Sequence, residues 1–154
     1  MKKQLNKKEI KELNDKIKSQ FGIDEFFLKK DNVEEDNNEF IIIKRDQKPA
    51  FFAYEGALVP ILSLLLEKQI LPIVTIDMPA VKFVTNGADI MRPGIKSVGE
   101  FEKDALVCIV DETHKKPLAI GKALLSSKEI MQELSGKVIK NLHYVGDKIW
   151  KSIA

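Results

Sequence analysis

Cysteine and histidine are nearly absent from the 154 residues: Cys108 stands alone, and His114 and His143 are the only imidazoles. A lone cysteine excludes an intrachain disulfide and any zinc site built on cysteines. The two histidines, and the acidic pairs Glu34-Glu35 and Asp111-Glu112 at the spacing of solvated turns, form no ligand cluster, so neither a metal nor another cofactor is expected. Nucleophilic catalysis needs a Cys or Ser beside a base, and Cys108 lies inside the apolar run "ALVCIV", a strand expected to be buried and inert. No phosphate-binding loop of the nucleotide-triphosphatase kind occurs. An enzyme is therefore not expected.

Long hydrophobic runs are missing too. "ALVPILSLLLEKQILPIV" is broken by Pro60, Glu67, Lys68 and Pro72 and falls short of the ~20 uninterrupted residues that span a bilayer, so no membrane partner is expected. "MKKQLNKKEIKEL" has the charges of a signal peptide's first section without the apolar section or cleavage site that follows one, which makes a cytoplasmic location the expectation. An excess of one charge is also lacking: the net charge is +2, too little for an indiscriminate polyanion binder. The charge present is segregated, with Lys2, Lys3, Lys7, Lys8, Lys11, Lys16 and Lys18 making the first segment basic and Asp31, Glu34, Glu35, Asp36 and Glu39 making the next acidic. With 44% hydrophobic residues and no low-complexity tract, a chain of this length supports an ordered core.

Apolar positions at Leu5, Ile10, Leu13, Ile17 and Phe21, stopped by Gly22, predict a helix over 3–20. "EFFLKK", "EFIIIKRD" and "PAFFAYEG" read as antiparallel strands around an acidic turn at 31–38, and "ALVPILSLLLEKQ" as a buried helix. From Pro72 onward short strands follow closely: "MPAVKFVT", "ALVCIVDE" and "PLAIGKALL". Ser126 with Glu129 starts a short helix, "SKEIMQEL", ended by Gly136. "KVIKNLHYV" and "KIWKSI" then read as a closing hairpin about Gly146-Asp147, in which Trp150 reads as a core residue. The fold class expected is α+β, a small α/β domain over 1–73 and a mixed β domain over 74–154.

Three segments taken in order, "VTNGADIMRPGI", "LVCIVDETHKKPLAIGKALL" and "GKVIKNLHYVGDKIW", resemble the PUA domain, a small RNA-binding pseudo-barrel. With a compact domain ahead of it, the whole chain resembles the archaeal relatives of the malignant T-cell-amplified-sequence protein and of the N-terminal region of ligatin. That resemblance implies an RNA-binding protein of translation, contacting tRNA or small-subunit rRNA, with the small ribosomal subunit and a protein bound by the N-terminal domain as partners. The alternatives are an adaptor whose first helix recruits a protein, and an accessory subunit of an RNA-modification complex.

The elbow "TNGADIMRPG" is the first candidate site. A helix starting near Gly87 would point the amides of Gly87, Ala88 and Asp89 at a phosphate, with Arg92 adding a planar donor fork before Pro93-Gly94 stops it; a positively lined cleft is expected there. Asp89 would compete for those amides, and the same residues also read as a plain turn and helix stop. The RNA-binding candidates are Lys82, Asn86, Gly87, Ala88, Arg92, Lys96, Gly121, Lys122, Lys140, Tyr144 and Lys148. The lysines would meet phosphates and Tyr144 a base; Gly121 would allow a close approach of RNA or of neighbouring backbone; strand lysines also read as solvated edges. His143 reads as a hydrogen-bonded structural histidine, for which a backbone carbonyl is one available partner.

Overall fold

Asn6 begins the first helix. Its side chain accepts from the Glu9 amide at 2.9 Å while the Glu9 carboxylate accepts from the Asn6 amide at 3.1 Å, so two free donors of the first turn are satisfied reciprocally. In the structure, a computed structural model that describes residues 1–153, this helix, α1 (Lys7–Phe21), ends at Gly22 with φ +71°. The chain divides into two compact units, Met1–Ile70 and the residues from Leu71 onward, each with its own sheet.

The first unit pairs β1 (Lys2–Gln4), β2 (Val33–Asn37), β3 (Ile41–Arg45), β4 (Lys48–Tyr54) and β5 (Ala57–Pro60) in that order, all antiparallel. Three expectations need correction. Residues 2–4 are a strand, not helix, because Lys2 and Lys3 lie opposite Asp36 and Glu35, a register that pairs unlike charges. The acidic segment is accordingly β2 instead of a turn, while "EFFLKK" is loop whose Phe26 and Phe27 rings pack on Phe51 with centroids 5.1 and 6.4 Å away. Residues 57–60 are strand and the helix after them, α2, is only Leu62–Glu67; Pro60 has no N–H and suits the edge strand it ends.

α1 turns Ile10, Leu13, Ile17 and Phe21 onto a core with Val33, Ile43, Phe51 and Leu58. Two amides pin it there. Asn14 donates to the Phe27 carbonyl and accepts from its N–H, at 3.0 and 2.9 Å, and Gln20 does the same with Leu58, both at 2.9 Å. Gln20→Ala therefore leaves both backbone groups of Leu58 on edge strand β5 without these partners and is expected to cost about 1–2 kcal/mol, read as a lower urea midpoint at unchanged m-value. An unshifted midpoint would mean that water replaces the amide without loss.

The second unit comprises β6 (Ile73–Ile76), α3 (Met78–Val84), β7 (Ile90–Met91), a single 3-10 turn (Arg92–Gly94), β8 (Ile95–Val98), β9 (Leu106–Asp111), β10 (Pro117–Ala123), α4 (Ser127–Gln132), β11 (Lys137–Tyr144) and α5 (Lys148–Ser152). Its sheet runs β7-β11-β10-β9-β6-β8, antiparallel except for β6 against β9. The ladder is open, yet β7 and β8 at its two edges are four virtual bonds apart in the chain, so Met91 and Ile95 stand at most about 15 Å apart and the sheet must curl. Val74, Ile76, Ile90, Val107, Ile109 and Ile139 fill the interior of the curl.

Two segments expected as strands are helices. "MPAVKFVT" forms α3 because Asp77 caps it, accepting from the Ala80 amide at 2.9 Å, and Pro79 falls where the first turn needs no donor. "KIWKSI" forms α5 because Asp147 caps it in the same way, which leaves Ile149 buried and Trp150 half-buried. α4 has the expected Ser126/Glu129 capping box but stops at Glu133, ahead of Gly136. Among the described residues no helix is long and apolar enough to cross a membrane.

Candidate functional site

At the elbow the helix polarity is the reverse of the expected one. α3 ends there instead of a helix beginning: the amides of Asn86, Gly87 and Ala88 donate to the carbonyls of Phe83, Val84 and Phe83 at 3.2, 3.0 and 3.0 Å. The Gly87 and Ala88 amides are thus taken up within the chain and not offered to a phosphate, and a helix C-terminus carries partial negative charge. Gly87 has φ +95°, and a Cβ on it would stand 3.0 Å from Tyr144 Oη and 3.2 Å from the ring, so glycine here lets Tyr144 lie against the turn.

Asn141 on β11 fixes this arrangement. Its Nδ2 donates to the Val84 and Ala88 carbonyls, each at 3.0 Å, and its backbone N–H donates to Asp89 Oδ1 at 2.8 Å. Asp89 therefore does not neutralise helix amides; it ties the elbow to β11 and pairs with Lys137 at 3.4 Å. Arg92 Nη1 donates to the Ile95 carbonyl at 3.2 Å, and its Nε is buried without a partner among the described residues.

Between α3 and β7 lies a groove of about 330 Å³ lined by Pro79, Ala80, Phe83, Ala88, Ile90 and Met91, with Phe83 58% and Met91 50% exposed. The expected positively lined cleft is thus a mainly apolar groove whose one charged lining residue among those described is Asp89, paired with Lys137, with Lys82 beside the Phe83 ring. The reason is that "MPAVKFV" coils, which turns Ala80 and Phe83 toward the same side as β7. Lys82 Nζ stands 5.3 Å from the Phe83 ring centroid.

The structure gathers Lys82, Asn86, Gly87, Ala88 and Tyr144 around the elbow, with Asn86 Nδ2 donating to the Lys82 carbonyl at 2.8 Å. Lys140 directly precedes Asn141 on β11 and lies opposite Lys122 on β10. Two like charges in register weaken a ladder. Lys96 is exposed on β8, and Lys148 is exposed in the first turn of α5. Gly121 serves the close approach of strands: a Cβ there would fall 2.4 Å from Ile139 Cγ2. Phe83, Met91 and Asn141 escaped the sequence reading, the first because its segment looks like a strand and the last because nothing marks an asparagine in a strand.

Two carboxylates prove more structural than their surroundings in the sequence suggest. Asp111, read as part of a solvated turn, is buried and accepts from the amides of Thr113, His114 and Lys115. Burial pushes its carboxyl up, but those N–H groups together outweigh it and hold the pKa below the usual value. His143, wholly buried, meets Asp147 Oδ2 at 2.8 Å through Nδ1. An ionised carboxylate only accepts, so Nδ1 carries the proton. Asp147 is likewise pushed up by burial and pulled further down by His143 and by the amides of Trp150 and Tyr144.

Comparison with known proteins agrees with this architecture. A family model described as PUA domain matches residues 72–145, and one described as Domain of unknown function (DUF1947) matches residues 2–68. An uncharacterized protein of Methanocaldococcus jannaschii is 43% identical over 95% of this chain and 93% of its own length. Translation machinery-associated protein 20 of Schizosaccharomyces pombe is 33% identical over 85% of this chain and 77% of its own. The crystal structure of a hypothetical protein of Pyrococcus horikoshii OT3 superposes over 100% of both chains with a TM-score of 0.85 at 33% identity. A two-unit layout with a curled, helix-flanked sheet at its C-terminal end, shared along nearly the full length with such relatives, means that the chain belongs to the family of PUA-domain proteins that includes translation machinery-associated protein 20 and malignant T-cell-amplified sequence 1.

Proposed function

We infer that the protein is a non-enzymatic RNA-binding factor of translation, whose PUA unit holds a single-stranded stretch of tRNA or small-subunit rRNA while the first unit docks on the small ribosomal subunit or a protein partner. The PUA match and the translation-associated name of the relatives support the general role. The observation that carries the finer reading is the elbow groove: an exposed aromatic ring and a thioether line a slot with room for a base, with Lys82 beside the ring and Asp89 of the lining paired with Lys137. A base enters by stacking on Phe83, and its phosphates meet Lys82, Lys122 and Lys140. The elbow thus takes up the flat, apolar part of a nucleotide, and charge is recognised on the strands around it.

Filter binding to tRNA and to a single-stranded oligonucleotide tests this. Phe83→Ala is expected to weaken binding by about 1–3 kcal/mol without changing its salt dependence, as loss of one stacked base would. Lys122→Ala is expected to reduce the slope of log affinity against log salt by about 0.7, one phosphate contact on a single strand. If both variants bind like the parent at every salt concentration, the groove is not the RNA site.

A further inference from the structure

The outward face of α1 has no place in the elbow site, yet it carries the densest positive charge in the first unit. Lys7, Lys8, Lys11 and Lys18 fall within about 100° of helix circumference, and Asp15 is the one acid among them. All four lysines are exposed. Lys11 meets Asp15 at 3.7 Å and Lys18 meets Asp24 at 2.9 Å, both in solvent, where such pairs are weak. Among the described residues Lys7 and Lys8 make no ion pair. Acids of strand β2 are engaged elsewhere, Asp36 with Lys44 at 3.4 Å and Glu34 with the Gln47 amide at 3.1 Å, and Glu9 on α1 itself is held by Lys3 at 2.5 Å.

This placement opposes the helix. Lys7 and Lys8 stand in the first turn, at the positive end of the macrodipole, and Lys7 precedes Lys11 by four residues, the spacing at which like charges repel. The first-turn amides are not themselves a site, since the side chains of Asn6 and Glu9 already form a capping box there. Cations held against local preference on a rigid element fit an external anion.

We propose that the lysine face of α1 lies along the phosphate backbone of double-stranded RNA, a second contact that rests on the RNA-binding reading but is separate from the elbow groove. The stripe offers no aromatic or apolar side chain on which an unpaired base could stack, whereas a duplex hides its bases and is recognised by shape and phosphate. From Lys7 to Lys18 the helix rises about 16 Å, an axial length over which one strand of a duplex carries roughly five phosphates. Gln20 ties the opposite face to Leu58 of β5, and Asn14, at the border of the stripe, ties the helix to Phe27, so the stripe is presented without reordering.

The experiment uses the full chain, a blunt RNA duplex of two helical turns, a single-stranded oligonucleotide and polyglutamate. The triple variant Lys7→Gln, Lys8→Gln, Lys11→Gln keeps helix propensity nearly constant, which circular dichroism checks. Its duplex affinity is expected to fall on the order of tenfold or more and its salt slope to lessen by about 2–3, while single-strand binding stays unchanged. Phe83→Ala gives the reverse pattern, so failure at the groove and failure at α1 are told apart. Unaltered duplex affinity and slope in the triple variant overturn the proposal, as does a parent chain that ignores the duplex. A parent that binds polyglutamate as tightly as duplex, and loses both equally in the variant, assigns the face to an acidic protein and overturns it too.

Discussion

Gly121→Val is expected to destabilise the second unit by about 3 kcal/mol or more, because there is no room for even the first carbon of a side chain. A Cβ at this position falls 2.4 Å from Ile139 Cγ2 and 2.9 Å from the Lys140 carbonyl oxygen, both on the paired strand β11. The carbonyl belongs to main chain that cannot rotate away, and the register shift between Ile120 and Gly121 sits at the same point, so the two backbones would have to part at the centre of the sheet. Gly121→Ala is expected to act in the same direction with smaller effect. Thermal unfolding followed by circular dichroism measures both; a valine variant melting with the parent would mean that the strands are farther apart than described. Because Gly121 neighbours Lys122, RNA binding in these variants has meaning only below the new melting temperature, where loss of contact can be separated from loss of fold.

Asp147→Ala is the second large expected effect, about 3 kcal/mol at neutral pH from loss of a helix cap and of the partner of a buried imidazole. One carboxylate accepts from Trp150 N–H at 2.7 Å, from Tyr144 N–H at 2.9 Å and from His143 Nδ1 at 2.8 Å, so its removal frees three donors at once. The folded-state pKa of Asp147 is lowered. In that direction the native state holds its proton less readily than the unfolded chain, whose Asp titrates near ~3.9. The stabilisation is then complete above that value and disappears as pH falls through the lower folded-state pKa. The part of the gap between parent and variant that comes from the Asp147 charge should accordingly close on the acid side of about 4. Urea midpoints of the two proteins across that interval test it, and a gap that widens in acid would contradict the assignment of charge.

The elements legible in the sequence were those whose pattern and punctuation agree. α1 was readable from Ile10 to Phe21 because apolar spacing and Gly22 both mark it, and β9 and β10 because apolar runs meet a polar turn at 113–116. The start of α1 was missed: Asn6 and Glu9 form a capping box, but the preceding lysines make a strand only by facing the acids of β2, a pairing no local pattern contains. α3 and α5 were misread for a shared reason. Valine, isoleucine, phenylalanine and tryptophan favour strands, and in segments this short the N-caps Asp77 and Asp147 decide instead.

The state of α3 decides the polarity of the elbow that follows it. With Met78–Thr85 as strand the next turn becomes a helix start with free amides, whereas it is a helix end whose Asn86, Gly87 and Ala88 amides are engaged. The residues singled out around the elbow still lie there, since Gly87 and Pro93-Gly94 mark the bends whatever connects them. The apolar groove was illegible because Ala80, Phe83 and Met91 line one slot only after α3 coils and β7 pairs with β11.

The unlike strand orders of the two sheets bear on how the chain is made. In the first unit every strand pairs with its sequence neighbour, so a nascent polypeptide can close that sheet as soon as Pro60 has left the ribosomal tunnel. In the second, β7 must wait for β11, and β10 has only one neighbour until then, so Ile90 stays without its strand partner for nearly fifty residues of further synthesis. Contacts of such long separation form slowly. Vectorial synthesis therefore delivers a finished first unit while the second still exposes an incomplete sheet, and a pause or truncation before Lys137 would release a half-folded product with a bare, sticky β10.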